Sequence, residues 1–278
     1  MTSVDCPAGS TWHGSKCTGA VDKSCSAGMH FETGRGCVAN AASNPAAPAQ
    51  PAPSSPTASV GSSAAMIRIP AGTFMMGSEQ GPGDQRPVHS VTVASFEMDV
   101  TEVTVSAYLA CVRAGKCSQS YSAPYCNTQQ AGKDNHPFNC VDWNPATSYC
   151  AAVGKSLPTE EEWEYAVKGT DGREFLWGQS APAGRLCWQR RDRPQGTCPV
   201  GSYPSGDSPF GLHDMAGNLW EWTSSGYSAH YNEPRGDDTR VTRGGSFVDS
   251  VDSLITTSVR YARSASNWTG ANGFRCAR

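Results

Sequence analysis

Hydrophobic and polar residues recur with two different periods in the first third of residues 66–278. Apolar residues between positions 67 and 77 are interrupted by Pro70-Ala-Gly72, which predicts a strand, a turn and a second strand. Residues 88–96 alternate between apolar and polar and predict a further strand. Over residues 104–113 the apolar spacing changes to that of a helix, which we expect to pack on the sheet.

Two further helices are predicted from the residues of their first turns. In residues 144–153, Asn144 is a suitable N-cap and Pro145 a suitable first helical residue. In residues 158–167, Thr159 and Glu162 have the spacing of a capping box. Beyond Lys168, glycine and proline recur to the end of the chain and indicate short strands joined by long loops.

The second of these helices carries several carboxylates, which leaves two alternatives: an acid–base or metal cluster, or a structural role. Glu160 and Glu164 share one face of a helix, whereas Glu161 points elsewhere. Because the helix dipole stabilises carboxylates in a first turn, we favour the structural role.

Composition restricts the compartment and the partners. The chain contains 29 Gly, 19 Pro and 12 Cys, and its formal net charge of -3 provides no basic surface for nucleic acid. The cysteine count is even and no Cys-x-x-Cys occurs, so disulfides in an oxidising compartment are favoured over metal clusters. No run of about 18 apolar residues predicts a membrane span.

No apolar segment of the kind found in a signal peptide follows Met1. Since the cysteines nevertheless indicate an oxidising compartment, we expect that an export signal has been removed from this chain. The predicted location is extracellular, on the cell surface or periplasmic. A cytosolic protein with buried free thiols is the alternative.

Three segments differ in composition. Residues 1–37 contain a repeated unit of Cys, Ala-Gly, an aromatic residue, Gly and Cys. A unit this short buries little apolar surface, so a disulfide across each loop is expected, joining Cys6 to Cys17 and Cys25 to Cys37. His13 and His30 occupy matching places, and we interpret them as solvated residues in preference to metal ligands. Residues 38–65, rich in Ala, Pro and Ser, are predicted to form a linker. The main domain comprises residues 66–278.

Several motifs of the main domain occur in an order that resembles the formylglycine-generating enzyme, or sulfatase-modifying factor, family. They are Leu157-Pro-Thr-Glu-Glu-Glu-Trp-Glu-Tyr165, Gly217-Asn-Leu-Trp-Glu-Trp222, Arg243-Gly-Gly-Ser246 and Gly273-Phe-Arg-Cys276. The resemblance extends from Ile69 to the C-terminus. It implies an irregular, loop-rich α+β domain, a variant of the C-type lectin-like fold, preceded here by the disulfide-linked repeat.

Active members of this family oxidise a cysteine of a sulfatase to formylglycine and bind copper through two cysteines. The equivalent positions here are Asp249 and Leu254, close to the retained Ser246. Soft sulfur selects Cu(I), whereas a carboxylate is a hard donor and leucine has none. The resemblance therefore implies a vestigial catalytic site, and copper is not expected.

The resemblance also implies calcium at the turn before Trp222. Asp214 and Glu221 would provide carboxylate oxygens, and Met215, Gly217 and Leu219 would provide backbone carbonyls. The alternative is that the two carboxylates accept hydrogen bonds from backbone amides. A second calcium site of the family corresponds to residues 185–188, where its sequence pattern is lost.

Cysteine pairing in the main domain follows partly from the resemblance, which supports Cys150 with Cys276. Cys111 with Cys117 and Cys187 with Cys198 are close in sequence and are interpreted as local pairs. The two remaining cysteines, Cys126 and Cys140, are then paired with each other. With these pairs formed, no thiol remains for catalysis.

We therefore expect a catalytically inactive, calcium-stabilised binding or structural module. Its ligand, an unidentified protein, peptide or glycan, would contact the segment 247–272. The candidate binding residues are Phe247, Asp249, Asp252, Arg260, Tyr261, Asn267 and Trp268. The alternatives are an oxidoreductase of the formylglycine-generating type, another divergent metal-dependent oxidase, and an accessory domain of a larger surface assembly.

Overall fold

The computed structural model describes residues 65–178, 180, 182, 184–188 and 196–278, together with the backbone of four short strands near the N-terminus. These strands form two antiparallel hairpins: β1 (Thr11–Trp12) pairs with β2 (Cys17–Thr18), and β3 (Met29–Glu32) with β4 (Gly36–Ala39). The predicted N-terminal disulfides, the side chains of His13 and His30, and residues 40–64 lie outside the described residues. The chain divides into two compact units, Met1–Thr57 and Ala58–Arg278.

Two small antiparallel sheets open the second unit. Strand β5 (Met66–Ile69) pairs with β8 (Phe96–Asp99), and β6 (Gly72–Met76) pairs with β7 (His89–Val93). The strand–turn–strand prediction for residues 67–77 is confirmed. The strand predicted for residues 88–96 is present as β7, which ends at Val93; Phe96 already belongs to β8, which pairs with a different partner.

Three helices follow, and the helix predicted from apolar spacing over residues 104–113 and the capping box predicted for the third helix are both confirmed. In α1 (Val105–Arg113) the Thr104 hydroxyl accepts a hydrogen bond from the Ala107 amide, and α3 (Glu160–Lys168) begins with the predicted capping box. Helix α2 (Trp143–Ala152) begins earlier than predicted. Its N-cap is Asp142, whose carboxylate accepts from the amide of Asn144 at 3.1 Å, so Asn144 lies inside the helix.

A four-stranded sheet forms the C-terminal part of the unit. It contains β9 (Trp220–Gly226), β10 (Thr239–Arg243), β11 (Arg260–Ser264) and β12 (Asn272–Gly273) in the order β11-β10-β9-β12. The first three are antiparallel to their neighbours, whereas β12 is parallel to β9. This sheet brings the segment 247–259 back beside helix α3, which packs against β9 and β10.

Disulfides connect these elements in the four predicted pairs. They are Cys111–Cys117, Cys126–Cys140, Cys150–Cys276 and Cys187–Cys198. Cys150–Cys276 joins α2 to the C-terminal segment across 126 positions of sequence. No cysteine of the described main domain is a free thiol.

Candidate functional site

A tight turn forms the centre of the candidate site. Gly244 and Gly245 have φ values of +98° and +74°, in the left-handed region where a side chain is strained. A Cβ atom at Gly245 would also lie 2.5 Å from the carbonyl oxygen of Leu254. The two glycines therefore let the chain turn closely against the segment that follows Ser246.

Asp249 closes this turn through one carboxylate oxygen. Its Oδ2 accepts hydrogen bonds from the amide and the hydroxyl of Ser246, each at 2.8 Å, and from Trp220 Nε1 at 2.9 Å. Ser246 and Trp220 are both buried. Leu254 is half-buried and supplies only its backbone amide, which donates to Val251 at 2.9 Å. Asp249 thus has a hydrogen-bonding role at this turn, and the Leu254 amide holds the chain against Val251.

The surface beside this turn is partly apolar. Val248, Val251 and Tyr261 are each about half exposed. The ring of Tyr261 lies 5.7 Å from that of Trp220, and the Arg263 guanidinium stacks over it at 4.8 Å. Burial lowers the pKa of Arg263 below its usual range. This group brings predicted binding residue Tyr261 close to Asp249 through their shared contact with Trp220.

Trp268 belongs to a different aromatic group. Its ring stacks on that of Tyr121 with centroids 4.5 Å apart, and Tyr125 lies 6.5 Å away on the same ring. Asn267, next to it, is exposed. The predicted binding residues are therefore distributed over two surface groups.

Arg260 was predicted as a surface binding residue, and the structure corrects this. It is only 4% exposed, and its guanidinium donates to both oxygens of Glu160 at 2.7 and 2.8 Å. It belongs to a buried ion network on helix α3 in which Arg243 contacts Glu160 and Glu164, and Lys168 contacts Glu164. Burial raises the pKa of Glu160 above its ordinary value, although the charges of Arg243 and Arg260 oppose this. The structural interpretation of these carboxylates fits the observed contacts.

The turn predicted to bind calcium contains a second buried ion pair. Asp214 has a φ of +56°, and its Oδ2 accepts from the Gly201 amide at 2.6 Å. Glu221 uses both carboxylate oxygens: Arg275 donates to each of them, and Trp163 Nε1 donates to Oε2 at 2.8 Å. While these bonds persist, Glu221 does not fit the role of a calcium ligand, because calcium needs the same lone pairs.

Sequence reasoning missed a third carboxylate at this turn. Glu102 is completely buried and accepts hydrogen bonds from Asn218 Nδ2 at 2.7 Å and from the Leu219 amide at 3.1 Å. Burial raises its pKa well above the ordinary value, and the charges of Asp214 and Glu221 raise it further. Among the described residues no group of three or more His, Cys, Asp or Glu is arranged to hold a metal ion.

These features define the class of protein: a disulfide-linked, irregular α+β domain of the C-type lectin-like fold. The chain belongs to the family described as the sulfatase-modifying factor enzyme 1-like domain, which matches residues 51–278 and confirms the resemblance seen in the motifs. No helix in the described part of the chain is long and apolar enough to cross a membrane.

Its relatives include one named as an enzyme and one named as inactive. It is 33% identical to the formylglycine-generating enzyme of Streptomyces coelicolor, with 76% of this chain and 88% of that protein covered. It is 31% identical to the inactive C-alpha-formylglycine-generating enzyme 2 of Mus musculus, with 77% and 85% covered. Among solved structures, PvdO from Pseudomonas aeruginosa superposes with a TM-score of 0.65 at 26% identity, covering 77% of this chain and 93% of that one. Treponema denticola variable protein 1 shares the fold, with a TM-score of 0.62, 21% identity and coverage of 76% and 94%.

Proposed function

We propose that residues 66–278 form a non-catalytic binding or structural module of an exported protein. The observation that carries this proposal is the position of Asp249. Its carboxylate accepts three hydrogen bonds from Ser246 and Trp220 and so holds the turn together. A pair of thiolates is the donor set suited to Cu(I). Here the corresponding residues are a carboxylate with a structural role and a leucine.

The disulfides support the same proposal. All eight cysteines of the main domain are paired, so none is available as a catalytic thiol or as a soft metal ligand. Such pairs persist in oxidising compartments, which supports an extracellular, cell-surface or periplasmic location.

An oxidase assay tests the catalytic part of the proposal. The full chain, supplied with copper and air, would be incubated with a cysteine-containing sulfatase peptide, with the Streptomyces coelicolor relative as positive control. We expect no aldehyde above the level of a protein-free sample. Copper-dependent aldehyde formation that disappears in Asp249→Ala would instead establish the oxidoreductase alternative. Titration of the unfolded, unreduced chain should find no free thiol, and two reactive thiols would likewise contradict the proposal.

The surface of Val248, Val251 and Tyr261 supports the binding part of the proposal. Exposed aliphatic and aromatic side chains on a rigid frame are the kind of surface that contacts a protein, peptide or glycan. A glycan and peptide array probed with the full chain should give ligands whose binding weakens in Val248→Ala/Tyr261→Ala. The matched control is Ser90→Ala, an exposed position on β7. Equal binding by both variants would exclude this surface.

Calcium at the Asp214 turn is also proposed, on the resemblance alone. Since Arg275 holds Glu221, the proposed site has Asp214 as its carboxylate ligand and the carbonyls of Met215, Gly217 and Leu219 as further donors. Water would have to supply the remaining oxygens of the six to eight that calcium takes.

A further inference from the structure

A cavity of about 580 Å³ is lined in part by Asp252 and Ser253, but not by Ser246, Asp249 or Trp220, which form the hydrogen-bonded turn. Its walls come from residues 75–88, 168–174 and 252–258. The walls are held together at one point, where Lys168 Nζ and the Ser258 hydroxyl both donate to the Gly77 carbonyl, at 2.7 and 2.9 Å. Because these contacts are buried, the cavity is formed before any ligand arrives.

The two cationic residues of the wall are already engaged. Lys168 Nζ donates to the carbonyls of Met75 and Gly77 and to Ser258, and it also pairs with Glu164. An ammonium group has three protons, so Lys168 has no free donor for a ligand.

Arg173, the other cation, is held by its own neighbours. Its Nε donates to Asp171 at 2.8 Å, its Nη2 also contacts that carboxylate, and its Nη1 donates to the Leu176 carbonyl at 2.7 Å. Both cations of the wall are therefore already paired with carboxylates of the chain.

The acidic residues of the cavity wall, unlike Lys168 and Arg173, are not paired with an opposite charge in the described part of the chain. Glu79, Glu174 and Asp252 line the cavity, are exposed, and have no ion-pair partner among the described residues. Glu79 Oε1 accepts one hydrogen bond from the Val88 amide at 3.2 Å. The wall therefore presents three carboxylates that form no ion pair with the described residues.

A buried amide provides an independent indication of a ligand. Gln85 lines the cavity and is only 3% exposed, yet its side-chain amide has no hydrogen-bond partner within the described residues. Its Oε1 lies against the cavity wall at Gly81, where an added Cβ atom would come within 2.0 Å of it. A ligand N–H could therefore donate to this oxygen without displacing a hydrogen bond that the described residues already make.

We propose that this cavity binds the cationic end of a ligand, a guanidinium or ammonium group on an alkyl stem, between Glu174, Asp252 and Gln85. Met75, 52% exposed, and Val88 would contact the stem. Such a group occurs in free diamines and in arginine or lysine side chains of a peptide. The inference rests on the proposed binding function and narrows its ligand to a cation.

Calorimetry with the full chain tests this directly. 1-Butylguanidine and a capped Ala-Arg-Ala peptide represent the free and the peptide-borne guanidinium, and 1-butylurea is the neutral analogue of 1-butylguanidine. We expect at least one of the two cations to bind, at least tenfold more tightly than the neutral analogue. The tighter of the two identifies the source of the cation. Binding of neither cation at millimolar concentration, or equal binding of the neutral analogue, would refute the proposal.

Variants connect the binding to these side chains. Glu174→Gln/Asp252→Asn should weaken cation binding at least tenfold, and Gln85→Met should weaken it severalfold. The matched control, Glu233→Gln/Asp237→Asn, removes the same charge from exposed residues outside the cavity and should bind as the wild type does. An equal loss in the control would show general charge attraction and contradict the site. The oxidase assay depends on the Asp249 turn, so failure of the proposed function and failure of this site give different results.

Discussion

Arg275 and Glu221 form a bidentate ion pair inside the domain, with Nη2 to Oε1 at 2.7 Å and Nε to Oε2 at 2.8 Å. Both side chains are at most 1% exposed. Arg275 also donates to the backbone carbonyls of Asp99, Val100 and His213. One guanidinium therefore connects the end of β8, the start of the Asp214 turn and, through Glu221, strand β9.

Removing one partner of this pair should destabilise the fold strongly. We expect Arg275→Met to lower the free energy of unfolding by about 3–5 kcal/mol, because it leaves Glu221 buried without its counter-charge. In Glu221→Gln/Arg275→Met the loss should be smaller than the sum of the two single losses. Denaturant unfolding of the four proteins measures this coupling. Strictly additive losses would show that the two residues act independently.

Asp249 should behave as a structural residue. Asp249→Ala removes the acceptor of three hydrogen bonds, and we expect it to lower stability by about 2–3 kcal/mol. Asp249→Asn retains one oxygen at this position and should lose less than about 1 kcal/mol. Chemical unfolding followed by tryptophan fluorescence reports both the stability and the surroundings of Trp220. If Asn and Ala were equally harmful, the negative charge itself would be required.

The disulfides offer a comparison between a long and a short loop. Chain-entropy arguments give about 5 kcal/mol for Cys150–Cys276, with a separation of 126, and about 2 kcal/mol for Cys111–Cys117, with a separation of 6. We therefore expect Cys150→Ala/Cys276→Ala to be the more destabilised double variant. Thermal unfolding of both variants beside the wild type measures the difference, and the reverse order would contradict the entropic explanation.

Local signals predicted the fold best where a cap and its partner are close in sequence. Thr159 and Glu162 formed the predicted capping box. Asn144 and Pro145 gave an equally local signal, but the N-cap is Asp142, whose carboxylate also accepts a hydrogen bond from the Tyr121 hydroxyl at 2.6 Å. Tyr121 lies 21 positions away, so this tertiary contact could not be inferred from the helix sequence alone.

Long-range charge pairing explains the errors at the site. Arg260 lies in a polar segment that looked exposed, yet its partner Glu160 is 100 positions earlier in the chain. The available signal was the shared face of Glu160 and Glu164, since two carboxylates buried on one helix face require cations. The arginines of the Arg-Gly-Gly-Ser and Gly-Phe-Arg-Cys motifs were the candidates, and Arg243 and Arg275 are indeed paired with buried glutamates. Glu102 had no motif around it and could not be identified.

Calcium should stabilise the full chain through Asp214. We expect a chelator to lower the melting temperature and calcium, but not magnesium, to restore it, because backbone carbonyls in an irregular arrangement suit calcium better than the strict octahedron of magnesium. In Asp214→Asn the calcium-dependent difference should disappear. Differential scanning calorimetry, with each sample dialysed against the chelator first, makes the comparison. If the melting temperature of the wild type did not change with calcium, the calcium site would be refuted, and Arg275 would be the cation that pairs with the carboxylates of this turn.

His136 should make the fold sensitive to mild acid. Burial, and to a lesser extent the nearby charge of Lys133, lower its pKa from 6.5 to about 4, and a hydrogen bond with Thr197 opposes both. Between pH 6.5 and 4 the unfolded chain therefore binds a proton that the folded chain does not, so stability falls as the pH falls through this window. Above pH 6.5 the imidazole is neutral in both states and has no such effect.

The comparison of wild type with His136→Asn isolates this contribution, because the other titrating groups are present in both proteins. From pH 7.5 to 4.5 the wild type should lose on the order of 1–2 kcal/mol more of its unfolding free energy than the variant does. Urea unfolding at the two pH values measures both losses. Lys133→Met should reduce the difference, since Lys133 Nζ lies 3.2 Å from His136 Nδ1 and disfavours the imidazolium. Equal losses in wild type and His136→Asn would mean that this imidazole titrates in the folded protein as it does in the unfolded chain.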